Sequence, residues 1–339
     1  MSPKDIVVLP GDGIGPDVTK AAVEVLQAVG APLEFTEYAC GAGAYLATGN
    51  PLPDETVEAC RKADAILLGA MGLPGVRWPD GREMAPQIDI REIFDLYAGV
   101  RPIKAYDARL SPLKNAPIDY VIVRESTEGL FSSRLKPRDP QADEARDEML
   151  ITRKGAERVC RHGFELARTR RQHCTLVDKA NVLPSMAFFR EVFYEVSKGY
   201  PDVKADVVYV DACALYLVTT PGRYDVLVTE NMFGDILSDL GAATIGGMGL
   251  APSADIGDKH AVFQPSHGSA PDIAGKGIAN PLATILSAGM MLEWLGDPLG
   301  AERIENAVAK VLRSGCELTP DLGGKAKTED LTAAVVAAL

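Results

Sequence analysis

The feature that most constrains this chain is a repeating alternation of a short, unbroken apolar run with a longer amphipathic stretch. Ile6–Leu9, Ala65–Leu68, Tyr120–Val123, Thr175–Val177, Val207–Val210 and Val226–Val228 are such runs. None shows the apolar–polar alternation of a strand with one wet face, so each is predicted to be a strand covered on both sides. Between them, Val18–Val29, Thr56–Lys62, Lys154–Thr169 and Ser185–Ser197 repeat apolar residues at helical spacing. Ala301–Leu312 and Thr328–Ala338 extend the helical pattern to the end. Strand then helix, repeated, predicts an α/β fold with a mainly parallel sheet flanked by helices.

A chain of 339 residues has room for roughly two domains of about 150 residues each. It can bury a core without covalent staples. Lys plus Arg number 35 against 47 Asp plus Glu, a net charge of −12. That balance argues against nucleic acid or an anionic membrane as partner. A local arginine cluster can still oppose it. The six cysteines (40, 60, 160, 174, 213, 316) form no C-x-x-C pair, and histidines stand only at 162, 173, 260 and 267. This pattern does not support a structural zinc site and suits reduced, buried thiols in the cytoplasm. The chain enters Ile6–Leu9 at once, with no basic and apolar leader before it. Pro281–Leu292, the most apolar later stretch, falls short of the ~20 residues that cross a bilayer. One segment breaks the pattern: Ser132–Glu148 is polar and proline-containing. It is either a surface loop or an arm exchanging contacts with a second subunit.

The chemistry-bearing residues cluster after the apolar runs. Leu9–Asp17 carries glycines at 11, 13 and 15, which fails the G-x-G-x-x-G spacing of a Rossmann turn. A tight strand-to-helix turn with Pro16 at the helix start explains it. Arg124 directly follows the predicted strand Tyr120–Val123, a position where α/β sheets bind ligands and where a guanidinium suits a carboxylate, and Arg91 and Arg101, ten residues apart, make with it a trio suggestive of a di- or tricarboxylate site. For any one of them alone, a surface ion pair is the better reading. Asp235 and Asp239, four apart, share one helix face, suited to Mg²⁺ or Mn²⁺ or simply solvated. Asp211 is predicted to end the strand Val207–Val210. Lys179 follows Thr175–Val177, where a lysine beside cations can serve as a base. His267–Pro281 is a long irregular loop able to wrap a nucleotide.

Taken together these residues resemble the β-decarboxylating dehydrogenases of the isopropylmalate and isocitrate type. The resemblance runs from Leu9–Pro16 to Asp321–Gly324, and Asn231–Asp239 and His267–Pro281 are its most specific parts. It implies a two-domain fold that is not Rossmann. Residues 1–97 and 246–339 would bind the cofactor, and 98–245 would carry the dimer contacts, the metal and the arm at about 132–148. It implies that Arg91, Arg101 and Arg124 hold the carboxylates of a small 2-hydroxy di- or tricarboxylate, with Gln87, Ile88, Phe131 and Asn181 completing the substrate site. Asp235 and Asp239 would bind Mg²⁺ or Mn²⁺ with Asp211 of a second subunit. Lys179 from that subunit would be the base, which makes a homodimer with shared active sites. His267, Gly268, Ser269, Ala270, Asp272, Ile273 and Asn280 would surround the adenosine half of the cofactor. Asp272-Ile273 looks like the NAD-type pair, and a carboxylate there repels a 2′-phosphate. The implied reaction is NAD-dependent oxidation of a 3-substituted malate of the 3-isopropylmalate type, followed by loss of CO₂.

Two departures from the family pattern matter. Most relatives carry a tyrosine seven residues after the third arginine for the final protonation. Here it is Phe131, which cannot donate a proton. Ser132 or Ser133 acting through water, or a reaction that stops at oxidation, are the alternatives. A non-catalytic metabolite-sensing subunit is a third, opposed by retention of Lys179 and all three aspartates. Where isopropylmalate-specific relatives present leucines, this chain has Gln87 and Ile88, with Met84 one turn earlier. A glutamine facing an isopropyl group is poorly satisfied. Tartrate, D-malate and (homo)isocitrate therefore stand beside 3-isopropylmalate.

Overall fold

A computed structural model describes residues 3–114, 116–136 and 141–339. Its strands are β1 (Lys4–Gly11), β2 (Leu33–Glu37), β3 (Ala65–Ala70), β4 (Ala98–Lys104), β5 (Asp119–Glu125), β6 (His173–Asp178), β7 (Lys204–Tyr209), β8 (Val226–Thr229), β9 (Pro252–Ile256) and β10 (Ala261–Pro265). Its helices are α1 (Gly15–Val29), α2 (Ala42–Thr48), α3 (Asp54–Lys62), α4 (Pro86–Ile93), α5 (Arg153–Arg168), α6 (Pro184–Ser197), α7 (Val210–Thr219), α8 (Asn231–Thr244), α9 (Leu282–Trp294), α10 (Pro298–Ser314) and α11 (Thr328–Ala338).

All ten strands form one sheet in the order β2-β1-β3-β10-β9-β4-β5-β8-β6-β7. The runs β2-β1-β3-β10 and β5-β8-β6-β7 are parallel. Antiparallel pairings of β10 with β9, β9 with β4 and β4 with β5 join them. The α/β class and the mainly parallel sheet therefore hold. Two-sided burial explains the unbroken apolar runs. Ile6 and Val8 of β1 pack with α1, while Val7 and Leu9 pack with Cys40, Cys60 and Ile90 on the other face. A strand residue's neighbours alternate between faces, and here both faces are apolar.

Some expected boundaries move. β5 runs on to Glu125, so Arg124 lies inside the strand rather than after it. Val210 opens α7, which puts Asp211 in the first turn of a helix and not at a strand end. β4 escaped the apolar-run pattern because Arg101-Pro102 interrupts it, and proline argues against a central strand. It is tolerated because β9 pairs with β4 only at Ala98–Val100, leaving the Pro102 end with a partner on one side.

The glycine-rich N-terminal turn is built on close backbone approaches. Gly11 and Gly13 have φ of +75° and +61°. A methyl group on Gly13 would sit 1.9 Å from the Ser269 carbonyl oxygen. The Ile14 N–H donates to that same carbonyl at 2.8 Å. Asp12, buried, accepts from the N–H groups of Ala42, Gly43 and Gly72 at 2.8 Å each. The turn's polar groups are thus committed to its neighbours. Of the segment 132–148, residues 141–148 are exposed and irregular. Pro137 and Pro140 lie outside the described residues. Its base is tied by the Gly129 N–H donating to the Leu150 carbonyl at 2.8 Å.

Candidate active site

One register row across the sheet starts the site. Gly99 of β4 lies opposite Arg124 on β5 and opposite Asp255 on β9. Residues directly across a ladder point to the same face, so Arg124 and Asp255 emerge together, with Arg101 two residues along β4 beside them. Arg91 comes in from α4, its Nε 3.0 Å from Asp255 Oδ2. The Gln264 amide donates a hydrogen bond to that oxygen at 2.5 Å. Arg101 donates to Ser266 Oγ at 3.0 Å. Arg124 donates through Nε and Nη2 to Asn231 Oδ1 at 2.9 and 2.6 Å, and through Nη1 to Asp235. Gly234 lets α8 approach this closely, since a methyl group there would lie 2.7 Å from Arg124 Cβ.

Three buried guanidinium groups gather around one buried carboxylate. Burial and the neighbouring Arg91 pull the Arg124 pKa down to about 10. Burial also lowers that of Arg101. Asp255 is pushed up by burial, but Arg91, Arg101 and Arg124 outweigh this and hold it below the ordinary carboxylate range. Asp255 offsets one of the three guanidinium charges, and Asp235, paired with Arg124, and Asp239 supply the other negative charges that face the cavity.

This wall lines a cavity of about 220 Å³. Gln87, Ile88, Arg91, Arg101, Arg124, Phe131, Asp235, Asp239, His267 and Gly268 all face it, together with Leu68–Met71 and Gln264–Ser266. Asp235 and Asp239 stand one turn apart on α8. Burial and the nearby Asp235 raise the Asp239 pKa. The Phe131 ring lies under the Arg124 guanidinium, 5.1 Å from its centre. The Gln87 Oε1 and His267 Nε2 atoms are buried with no partner among the described residues. Burial lowers the His267 pKa, which favours a neutral ring. Its Nδ1 lies 2.9 Å from the Gly268 carbonyl. A Nδ1–H donating there leaves Nε2 as an open acceptor.

The other expected residues lie elsewhere. Lys179 and Asp211 pair with each other outside the cavity, Asp211 being 69% exposed. The ion pair to Lys179 lowers the Asp211 pKa. Asn181 is exposed beside them. Within one chain, no group of three potential metal-ligating side chains exists among the described residues. Ser132 and Ser133 are corrected as proton donors: Ser132 Oγ donates to the Gly129 carbonyl at 2.9 Å, and Ser133 Oγ is engaged with the Glu148 backbone. Neither faces the cavity.

The loop from His267 is irregular, as its composition implies. Ser269 is buried and donates to the Gly72 carbonyl. Ala270 and Ile273 pack against a small cluster formed by Ile14, Val18 and Ala279. Asn280 is buried, donating to Asp321 at 3.0 Å and accepting from the Leu282 N–H at 3.0 Å. Asp272 is exposed. Ile273 and Asn280 are therefore anchors of the loop in this chain, and Asp272 is its free acidic side chain. Sequence reasoning missed Asp255, Gln264 and Ser266. A lone aspartate in the buried segment Pro252–Ile256 was the available signal.

Three buried arginines facing two aspartates, set across an α/β sheet of this order, mark the candidate active site of an enzyme. A family model for isocitrate/isopropylmalate dehydrogenase matches residues 5–335. The chain is 46% identical over 336 residues to a 3-isopropylmalate/3-methylmalate dehydrogenase of Methanocaldococcus jannaschii, covering 96% of each. It is 47% identical over 336 residues to an isocitrate/homoisocitrate dehydrogenase of Thermus thermophilus, covering 98% of each. Among solved structures it is similar to the isocitrate dehydrogenase of Methylococcus capsulatus, with a TM-score of 0.92, 40% identity and 99% of each chain covered. The protein belongs to the isocitrate/isopropylmalate dehydrogenase family. It is a dehydrogenase that acts on a hydroxyl group with decarboxylation.

Proposed function

We propose that the protein catalyses NAD- and Mg²⁺- or Mn²⁺-dependent oxidative decarboxylation of a 3-substituted malate. The observation that carries this is the placement of Arg91, Arg101 and Arg124 on one wall of the cavity that Asp235 and Asp239 also line. The donor sets fit the two groups required. Two carboxylates on one helix face offer hard oxygen ligands for a divalent ion, and the open His267 Nε2 sits at the start of the loop that would hold the nucleotide. When bound, NAD accepts the hydride and the divalent ion supplies Lewis-acid polarisation. The arginines bind and orient the substrate carboxylates. Asp272, exposed, is available to the ribose hydroxyls and unfavourable to a 2′-phosphate.

Lys179 and Asp211 complete the site from the partner subunit of a homodimer, Lys179 taking the hydroxyl proton. Two facts support this. The pair stands outside its own chain's cavity, and exposed apolar residues flank the acidic groups: Leu215 and Val218 on α7 and Ile236 on α8. Three large apolar side chains left exposed on neighbouring helices are what a contact face would cover. No helix among the described residues is long and apolar enough to cross a membrane. A cytoplasmic location is part of the proposal.

Gln87 favours a second substrate within the same reaction. Its unpartnered Oε1 on the cavity wall is an acceptor that an isopropyl group leaves bare and a hydroxyl or protonated donor would satisfy. A substrate with a hydroxyl substituent, such as tartrate, therefore stands with 3-isopropylmalate and D-malate, while the carboxylate substituent of homoisocitrate, an acceptor only, would call on the Gln87 amide N–H instead. The test is NADH formation and CO₂ release by the purified protein with Mn²⁺ and a panel of these diacids. Turnover with a polar-substituted diacid above 3-isopropylmalate supports the role given to Gln87. NADH without CO₂ would limit the reaction to oxidation, and no NADH with any member would overturn the proposal.

A further inference from the structure

Helix α4 carries two faces with different work. Gln87, Ile88 and Arg91 face the cavity. Asp89 and Glu92, three apart, share an adjoining face. Its Ile90, with Phe94 just beyond, is packed into the apolar cluster of the β1-β3-β10 half. Arg134, from the other half of the sheet, reaches this helix. It follows the helical turn Leu130–Ser133 that holds Phe131. Its Nε donates to Glu92 Oε1 at 2.8 Å, and its Nη2 donates to Glu92 Oε2 and Asp89 Oδ1 at 2.7 Å each. The side chain is 18% exposed. A single exposed ion pair is worth little, but a fork held by two carboxylates fixes both distance and angle. A second strap reinforces it: Arg158 of α5 donates to both carboxylate oxygens of Asp95, just beyond α4, at 2.7 and 2.6 Å.

We propose that Arg134 is a positioning residue of the substrate site. By gripping Asp89 and Glu92 it sets the distance between the Gln87–Ile88 wall and the Phe131–Arg124 wall, and so sets which 3-substituents fit. This rests on the function proposed above. It makes no claim on the cofactor loop, which lies on other elements.

The test compares the full-length protein with Arg134→Ala, Arg134→Lys and Asp89→Asn/Glu92→Gln. Steady-state constants are measured for diacids of different 3-substituent and for NAD, and amide hydrogen exchange is measured across Pro86–Ile93. Arg134→Ala is expected to raise substrate KM about tenfold, because small misplacements of binding groups are costly. It should narrow discrimination between the largest and smallest substituents and leave the KM for NAD within about twofold. Exchange in α4 should speed up. Arg134→Lys, which keeps charge without the fork, should fall between. Arg134→Ala combined with Asp89→Asn/Glu92→Gln should cost no more than either side removed alone. Unchanged substrate KM and discrimination in an active Arg134→Ala enzyme, or equal losses for substrate and NAD, would overturn the proposal. If the parent protein turns over no diacid, the functional proposal fails on its own, and the exchange of α4 still decides whether Arg134 holds the helix: no acceleration overturns the latch.

Discussion

Replacing Asp255 with Asn removes the carboxylate at the centre of the arginine wall while keeping its shape. Arg91 Nε lies 3.0 Å from Asp255 Oδ2, and both side chains are buried, at 7% and 0% exposure. Removing one partner of a buried pair costs about 3–5 kcal/mol, because the other charge is left uncompensated. Unfolding entropy of about 2.1 cal/mol/K per residue gives about 0.7 kcal/mol/K for this chain, so melting should fall by about 4–7 °C. The effect has a pH signature. Asp255 is held below its ordinary value of 3.8, so its stabilisation is present above that value and is lost as pH falls through the lower native one. The gap between parent and variant should therefore be full near neutrality and narrow below pH 3.8. Because the variant's wall carries one more positive charge than the parent's, a dianion such as oxalate should raise its melting temperature more than the parent's. Thermal melts across pH, with and without oxalate, measure all three. A variant that melts with the parent and responds equally to oxalate would refute the charge balance argued for this wall.

Three other expectations are simpler to check. Phe131→Tyr places a proton donor beside Arg124 and should speed formation of the protonated product in the decarboxylation half-reaction by about tenfold or more, given the usual worth of a positioned acid; slower product formation in single-turnover assays would mean the pocket is built around the phenyl ring. Asp235→Asn should raise the Mn²⁺ concentration for half-maximal activity by about tenfold, since a neutral amide is a weaker hard ligand; an unchanged titration would remove Asp235 from the metal site. Burial alone would raise the Asp206 pKa, but hydrogen bonds from His173 and Thr175 bring it to about 2. Asp206→Asn should then cost about 1 kcal/mol near neutrality, discounted because the side chain is 39% exposed. That cost should vanish as pH falls from 3.8 towards 2, which denaturant unfolding at several pH values would show.

Much of this protein was legible in its residues. Unbroken runs such as Val226–Val228 and the helical spacing of Lys154–Thr169 determined an α/β sheet, because burial on both faces and helical periodicity are local properties. The failed glycine spacing at 11, 13 and 15 removed a Rossmann turn before any coordinates were needed. The motif residues Arg91, Arg101, Arg124, Asp235 and Asp239 also named themselves. Tertiary structure decided what those residues do together. The row Asp255–Gly99–Arg124 joins strands far apart in the chain, so no local pattern could announce Asp255 as the counter-charge. Pro102 hid β4, because the pairing that spares it belongs to a neighbour contributed by residues 252–256. Ser132 and Ser133 looked available as proton donors until the backbone of Glu148 and Gly129 claimed their hydroxyls. Local propensity and pattern travel with the sequence; electrostatic balance and hydrogen-bond commitment depend on distances that only the folded sheet brings within a few ångströms.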